Sequence, residues 1–259
     1  MKNWLRHILP YGVVRASQIA SELRLIGIPS SQARRLALEP ETAARLHRLN
    51  FNLLPAGALN QIDCVIDVGA NVGDWTADLL ALCQPAKVIC VEPDPNLAQK
   101  LRQRFSAQPT VVVEQTAMGD KAGTAEFKIM HNPVLNSFRR PAESMAKIYP
   151  EPFQIKETIT VEVKPLDAIV PATGRISLLK IDAQGFEREV LAGAKQTLQR
   201  TDYLIIEVNF QPHYEGEAGF FELDTIMQQH GFCIGNYSTP KGGRRQALFA
   251  DVLYLRKES

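Results

Sequence analysis

The residues best suited to chemistry lie in one early run, Val65-Ile66-Asp67-Val68-Gly69-Ala70-Asn71-Val72-Gly73-Asp74-Trp75-Thr76. An apolar strand there runs into a loop bearing Gly69 and Gly73, and a helix begins at once. That arrangement points backbone N–H groups at the helix N-terminus toward a ligand in the crevice at the strand's carboxyl end. The glycines let such a ligand approach the backbone. Their spacing is G-x-x-x-G with Asn71 inside it, not the G-x-G-x-x-G of dinucleotide binders, and Asp67 stands two residues before the first glycine. A carboxylate there favours a cation or an amino group and repels a pyrophosphate. The stretch therefore disfavours a nicotinamide dinucleotide and favours a nucleoside bearing an amino acid. A second apolar run, Val88-Ile89-Cys90-Val91-Glu92-Pro93-Asp94, ends in Glu92, 19 residues after Gly73. A carboxylate at that place can take both hydroxyls of a ribose. The glycine loop and the acid together are far more specific than either alone.

Short apolar runs at 63–68, 87–92, 110–116, 176–182 and 202–208 alternate with helical periods at 74–83, 95–106, 186–200 and 219–230. This is a βαβ series, hence a parallel sheet covered on both faces. Gly123 to Met130 and Thr158 to Lys164 alternate with period 2 and flank a polar, proline-rich stretch, residues 131–153, expected as an insertion folded over the site. Phe232 to Tyr237 and Ala247 to Arg256 read as two strands joined by a turn at Pro240-Lys241-Gly242-Gly243, a terminal hairpin with one antiparallel strand. Residues 1–58 read as a helical extension and 59–259 as the main domain.

The composition is that of an ordinary globular protein, 45% hydrophobic and 22% charged, which excludes disordered and disulfide-scaffold classes. Lys plus Arg, 29, nearly cancels Asp plus Glu, 28, so no general nucleic-acid partner is expected. Charge is nevertheless uneven, with eight Lys/Arg against three acids in the first 50 residues. Two readings stand for residues 1–28: a helical cap on the sheet or a partner subunit, or a basic amphipathic helix resting on an anionic membrane face, with Trp4 at the interface. Cys64, Cys83, Cys90 and Cys233 form no C-x-x-C pair, a reduced, cytoplasmic pattern. No run of 18 apolar residues occurs. The protein is therefore expected in the cytoplasm, or peripheral at the inner membrane face.

Asp67-x-Gly69-x-Asn71-x-Gly73 followed by Glu92-Pro93-x-Pro95 resembles the first motifs of class I S-adenosylmethionine-dependent methyltransferases. The later run Leu178-Leu179-Lys180-Ile181-Asp182-Ala183-Gln184-Gly185-Phe186-Glu187-x-Glu189-Val190-Leu191-x-Gly193-Ala194 resembles the signature of the FkbM family in particular. Gly119-Asp120, Gly123 to Phe127, Asn136-Ser137 and Val163-x-x-Leu166-Asp167 agree with it, and the resemblance covers roughly residues 60–210. It implies a Rossmann-like fold with a mostly parallel seven-stranded sheet, and methyl transfer from S-adenosylmethionine to a hydroxyl. On this likeness Asp67, Gly69, Asn71, Gly73 and Thr76 hold the methionine end of the cofactor. Glu92 and Asp94 hold the ribose, the neighbourhood of Thr116, Ala117 and Met118 borders the adenine, and Asp182 lies beside the reactive methyl. Where the commoner family form has Glu, this chain has Gln184.

A sulfonium methyl is already activated, so the protein must align a hydroxyl oxygen with it and remove the proton. Two routes are open. Asp182 and Glu207 could hold a divalent ion that acidifies the hydroxyl, or His213, in Glu207-Val208-Asn209-Phe210-Gln211-Pro212-His213, could act as general base. Asn136, Ser137 and Arg139 in the insertion suit a polyhydroxylated or phosphorylated acceptor. Glu187 either joins them or complements the start of its own helix. The expected acceptor is a sugar or glycan precursor; rivals are a polyketide, peptide or lipid hydroxyl, and a partner subunit that binds the cofactor without catalysis. A homodimer fits the sequence.

Overall fold

The computed structural model describes residues 53–257 apart from 244 and 245. The expected helical extension and membrane-facing segment therefore lie, up to residue 52, outside the described residues. The chain divides into two units, residues 1–62 with 77–84, and residues 63–76 with 85–259. Of the first, the described part holds a 3-10 turn, Ala58–Gln61, and buries Leu53, Leu54, Leu59, Ile62, Leu79 and Leu82. No helix among the described residues is long and apolar enough to cross a membrane.

The second unit contains the described strands. The continuous apolar runs become β1 (Cys64–Val68), β2 (Lys87–Val91), β3 (Val111–Glu114), β7 (Ile176–Ile181) and β8 (Thr201–Asn209). They lie in parallel in the order β3-β2-β1-β7-β8, and every residue of β7 is buried. A strand covered on both faces has no use for alternation, which is why these runs carry none. Two short strands, β9 (Phe232–Tyr237) and β10 (Lys241–Gly243), pair antiparallel with β11 (Gln246–Arg256), which itself runs antiparallel to β8.

Helices α1 (Asp74–Leu82), α2 (Pro95–Arg104), α5 (Glu187–Ala192), α6 (Lys195–Gln199) and α7 (Phe220–Gln229) follow the strands they were expected to follow. The crossover through α2 moves outward from β2 to β3, and that through α5 and α6 moves the opposite way, from β7 to β8. Right-handed crossovers running in opposite directions place their helices on opposite faces of the sheet.

The structure corrects two expectations and places the two period-2 strands. The sheet has eight strands instead of seven, because Lys241–Gly243 is the short strand β10 and not merely a turn. The helix expected over 186–200 is two helices broken at Gly193, where a Cβ would meet the Gly119 carbonyl oxygen at 2.0 Å. The two period-2 strands form a separate sheet. β5 (Gly123–Met130) and β6 (Ile155–Lys164) pair antiparallel, join β4 (Ala117–Met118), and close over Ala117, Phe127, Ile129, Val161 and Val163.

The 131–153 insertion carries a 3-10 turn at Pro133–Leu135 and helix α3 (Glu143–Ile148). Met145 and Phe153 from it pack with Met130, Tyr214 and Leu248. Backbone bonds tie it to the loop after β8, with Ala142 N–H donating to His213 O at 2.8 Å and Glu215 N–H to Arg140 O at 2.9 Å. A short helix α4 (Leu166–Ile169) leads from β6 toward β7.

Candidate active site

Strand order reverses at β1, whose neighbours β2 and β7 lead the chain in opposite directions, and a crevice opens beyond the carboxyl ends of such strands. A cleft lies there, with about 600 Å³ of empty space counting the solvent at its open mouth. Its polar wall comes from Gly69 and Asn71 after β1, Glu92 after β2, and Asp182 and Gln184 after β7. Its apolar wall includes Met118, Val134, Phe127, Phe138 and Phe186. The last three form a chain of tilted rings with centroids 5.0 and 4.6 Å apart.

The glycine loop works differently from its sequence expectation. Gly69 and Ala70 N–H both donate to Val91 O, Asn71 N–H to Glu92 Oε2, Val72 N–H to Asn71 Oδ1, and Gly73 N–H to Ala70 O. All five donors are spent inside the chain, so the loop offers no nest of N–H groups to an anion. Its conformation still demands small or turn-forming residues, with φ of 76° at Gly69, 51° at Asn71 and 81° at Gly73. A Cβ at Gly69 would lie 1.9 Å from the Asp182 carbonyl oxygen, so glycine here lets β1 and β7 approach at the cleft floor.

Glu92 is 4% exposed and accepts from Asn71 N–H at 2.8 Å and Asp94 N–H at 2.9 Å, one bond to each oxygen. Burial pushes its carboxyl up to about 7 against the pull of those two donors. Asp94 caps α2, accepting from Asn96 and Leu97 N–H, while its other oxygen takes Asn136 Nδ2 at 3.3 Å. Asn136 in turn accepts from Met130 N–H at 2.9 Å. These two residues hold α2 and the insertion together and have little left for a ligand.

Beneath the cleft, Asp67 is fully buried, with Thr76 Oγ1 donating to it at 2.7 Å and Lys180 Nζ 3.2 Å away. Lys180 lies opposite Asp67 in the β1–β7 register and also reaches the Gly69 carbonyl at 3.3 Å and Asp182 at 3.6 Å. Burial works against its charge, yet Asp67 and Asp182 outweigh that and hold the ammonium above the usual lysine range. Sequence reasoning passed over Lys180, although a lone lysine in the apolar run Leu178-Leu179-Lys180-Ile181 is the available signal.

The segment after β7 is a tight turn with Gln184 and Gly185 in left-handed conformations, φ 49° and 89°. Glu187, 4% exposed, accepts from Ala183 N–H at 2.9 Å and Gly185 N–H at 3.2 Å. Burial first, and then Asp182, raise its carboxyl to about 8. Ser137 Oγ donates to Gln184 O at 2.6 Å, and Arg139 donates to Gly185 O at 2.6 Å, Glu215 O at 3.1 Å and Glu189 at 2.7 Å. Ser137, Arg139 and Glu187 thus grip this turn; none of the three lines the cleft.

Glu207 lies behind Asp182, its carboxyl raised well above the ordinary range by burial and by Asp182, Asp251 and Glu187. His213 is buried, its ring edge-on to Phe249 at 5.5 Å, and burial lowers its pKa. Neither lines the cleft. Among the described residues no three His, Cys, Asp or Glu side chains are grouped to hold a metal ion, and the Asp182–Glu207 pair has the Lys180 ammonium beside it. That donor set suits a divalent ion poorly. Of the residues singled out from sequence, the cleft brings together Gly69, Asn71, Glu92, Ala117, Asn136 and Asp182; Asp67, Gly73, Thr76 and Asp94 support it from behind.

A family model described as the methyltransferase FkbM domain matches residues 67–234, from the end of β1 into β9. The chain belongs to the FkbM methyltransferase family. It is similar to the 2-O-methyltransferase NoeI of Sinorhizobium fredii, 27% identical over an aligned stretch of 188 positions that covers 69% of this chain and 75% of that protein. It is also similar to the hexuronic acid methyltransferase AglP of Haloferax volcanii, 26% identical over 149 residues, 57% of this chain and 56% of that one. The crystal structure of methyltransferase FkbM from Methylobacillus flagellatus KT superposes with a TM-score of 0.52 at 16% identity, covering 93% of this chain and 59% of that chain. This likeness shows the fold: a class I methyltransferase fold, mixed α/β around a large sheet.

Proposed function

We propose that this FkbM methyltransferase uses S-adenosylmethionine to methylate a hydroxyl oxygen of a sugar or glycan acceptor. The observation that carries the cofactor is Glu92. Each of its oxygens accepts one backbone N–H, which leaves each a further lone pair for a vicinal diol at the cleft wall it lines. The spent N–H groups of the 69–73 loop favour the same choice, since they leave nothing to receive a pyrophosphate. Gly69 and Asn71 would hold the amino-acid end, and Thr116, Ala117 and Met118 would border the adenine. S-adenosylmethionine supplies a methyl group already activated on a sulfonium centre.

The chain's own work is alignment and proton removal. Of the three groups considered for the proton, Asp182 alone lines the cleft, so we assign it the acceptor hydroxyl's proton. Gln184 donates to its Oδ1 at 2.7 Å and Lys180 stands 3.6 Å from its Oδ2, which together fix the carboxylate. The 131–153 insertion, pinned to the turn after β7 through Ser137 and Arg139, closes the cleft against water as a lid. Support for a sugar acceptor comes from the relative AglP, a hexuronic acid methyltransferase, and support for a hydroxyl oxygen from the relative NoeI, a 2-O-methyltransferase.

The test is calorimetric titration of the protein and of Glu92→Ala with S-adenosylmethionine, S-adenosylhomocysteine and NAD, followed by transfer of labelled methyl to a panel of sugars, lipids and peptides. Binding of the two adenosyl ligands alone, lost in the variant, with label on sugars, is expected. Absence of adenosyl binding overturns the cofactor, and label only on lipid or peptide overturns the acceptor.

A further inference from the structure

The side chain of Gln184 has both ends engaged. Its Nε2 donates to Asp182 Oδ1 at 2.7 Å, and its Oε1 accepts from Tyr214 Oη at 2.8 Å. Tyr214 is 1% exposed, and its hydroxyl also lies 3.0 Å from the carbonyl of Leu135 in the insertion's 3-10 turn. The Gln184 backbone carbonyl takes Ser137 Oγ, and its φ of 49° holds the side chain at a fixed point of the turn. One residue therefore touches the cleft acid, the insertion and the loop after β8 at once.

We propose that Gln184 is a positioning residue for Asp182, an uncharged donor that orients the carboxylate and couples it through Tyr214 to the closed position of the insertion. The inference rests on the proposed function for its purpose but not for its geometry.

An amide is the side chain that donates to a carboxylate with one end and accepts from a phenol with the other without any proton change. A carboxyl at this position makes the contact with Asp182 only while it keeps its proton. The surroundings set how firmly that proton is held. Glu187 on α5, Glu207 on β8, Asp251 on β11 and Glu217 after Tyr214 add negative charge. Lys180 on β7, itself paired with Asp67 on β1, and Arg139 in the insertion oppose it. Acids outnumber cations around the turn, and two carboxylates in hydrogen-bond contact cannot both ionise readily.

Gln184→Glu and Gln184→Ala decide the matter in two arms. Without ligand, melting temperatures of Gln184→Glu and the unaltered protein are compared from pH 5 to pH 8.5. The introduced carboxyl has a folded pKa above its unfolded one, so its stabilisation is present at low pH and lost as pH rises. The two curves should nearly coincide at pH 5 and separate above it. With S-adenosylhomocysteine, affinity of Gln184→Glu should fall at least tenfold relative to the unaltered protein between pH 5.5 and 8.5, while Gln184→Ala is weakened at every pH. Parallel melting curves overturn the contact. Parallel affinity profiles in a protein that binds the ligand overturn the positioning role. Failure of the unaltered protein to bind overturns the proposed function instead, and the ligand-free arm still decides whether Gln184 holds Asp182.

Discussion

Replacing Glu92 by glutamine should cost the protein progressively less stability as pH rises past neutrality while weakening its ligand. In the folded state burial raises this carboxyl from 4.5 to about 7, a displacement worth about 3 kcal/mol between the two protonation states. The sign follows from the direction of the shift: a carboxyl whose folded pKa is raised contributes stability that is present below its unfolded pKa and lost as pH rises through the folded value. Between pH 4.5 and about pH 8 the unaltered protein thus gives up about 3 kcal/mol at this one side chain. Glutamine fills the same space without the charge and keeps one acceptor, but it turns an NH₂ toward one of the two backbone donors, Asn71 N–H or Asp94 N–H. An unsatisfied buried donor costs about 1–3 kcal/mol at every pH. Urea denaturation at pH 5, 6, 7 and 8 should therefore show Glu92→Gln less stable than the unaltered protein at pH 5, by about 1 kcal/mol or more. The difference should close or reverse by pH 8, while affinity for S-adenosylhomocysteine falls at least tenfold throughout. A stability difference independent of pH would refute the burial reasoning, and undiminished affinity would refute the diol assignment.

Gly69→Ala should destabilise the fold by about 3 kcal/mol or more, the sum of a left-handed residue with a Cβ and a Cβ 1.9 Å from the Asp182 carbonyl; an unchanged urea midpoint would refute the close approach of β1 and β7. Lys180→Met leaves the Asp67 carboxylate buried without its ammonium and should cost about 3–5 kcal/mol, most of it regained in the double variant with Asp67→Asn, as chemical denaturation would show. Arg139→Ala removes the bonds to Gly185 O, Glu215 O and Glu189, so the 131–153 segment should become the first site of proteolysis, with a stability loss of about 2 kcal/mol. Asp182→Asn keeps an oxygen for Gln184 but no longer takes a proton, and should lower transfer at least about a hundredfold with adenosylhomocysteine affinity changed much less; equal loss of both would make Asp182 a binding group alone.

The sheet was legible because its signals are local. Five apolar runs too continuous for an exposed strand, four of them followed by a helical period, leave the parallel βαβ arrangement as the economical solution, and the acid and glycines fall at strand ends by counting alone. The need for glycine at 193, where the helix breaks, escaped because it is set 74 residues away, by the Gly119 carbonyl that a Cβ would strike. The β4-β5-β6 sheet escaped for a related reason: Phe127 and Val163 alternate as edge strands of any sheet would, and nothing local says which sheet they join. In the site, spacing put polar residues near the cleft without saying what each would bond. Asp94, Asn136, Ser137, Arg139 and Glu187 are polar groups near a cleft, but their partners are backbone N–H and C=O groups supplied by folding. A spacing rule cannot distinguish a carboxylate waiting for a ligand from one already saturated.

That distinction bears on how the cleft selects its ligand. Folding the site has used up the N–H donors of the 69–73 loop, while carboxylate oxygens keep lone pairs for a ligand: the outer ones of Glu92 and those of Asp182. Behind them burial and Asp182 raise both Glu187 and Glu207, and Glu187 adds to the rise at Glu207, so the site carries more potential negative charge than it can ionise at rest. Lys180 offsets part of it, but its ammonium is drawn down between Asp67 and Asp182 instead of into the open volume. A ligand that brings a sulfonium and an ammonium relieves this repulsion, whereas a pyrophosphate adds to it. Selectivity between the two kinds of nucleoside cofactor thus arises less from the shape of the glycine loop than from which backbone groups the loop consumes in making itself.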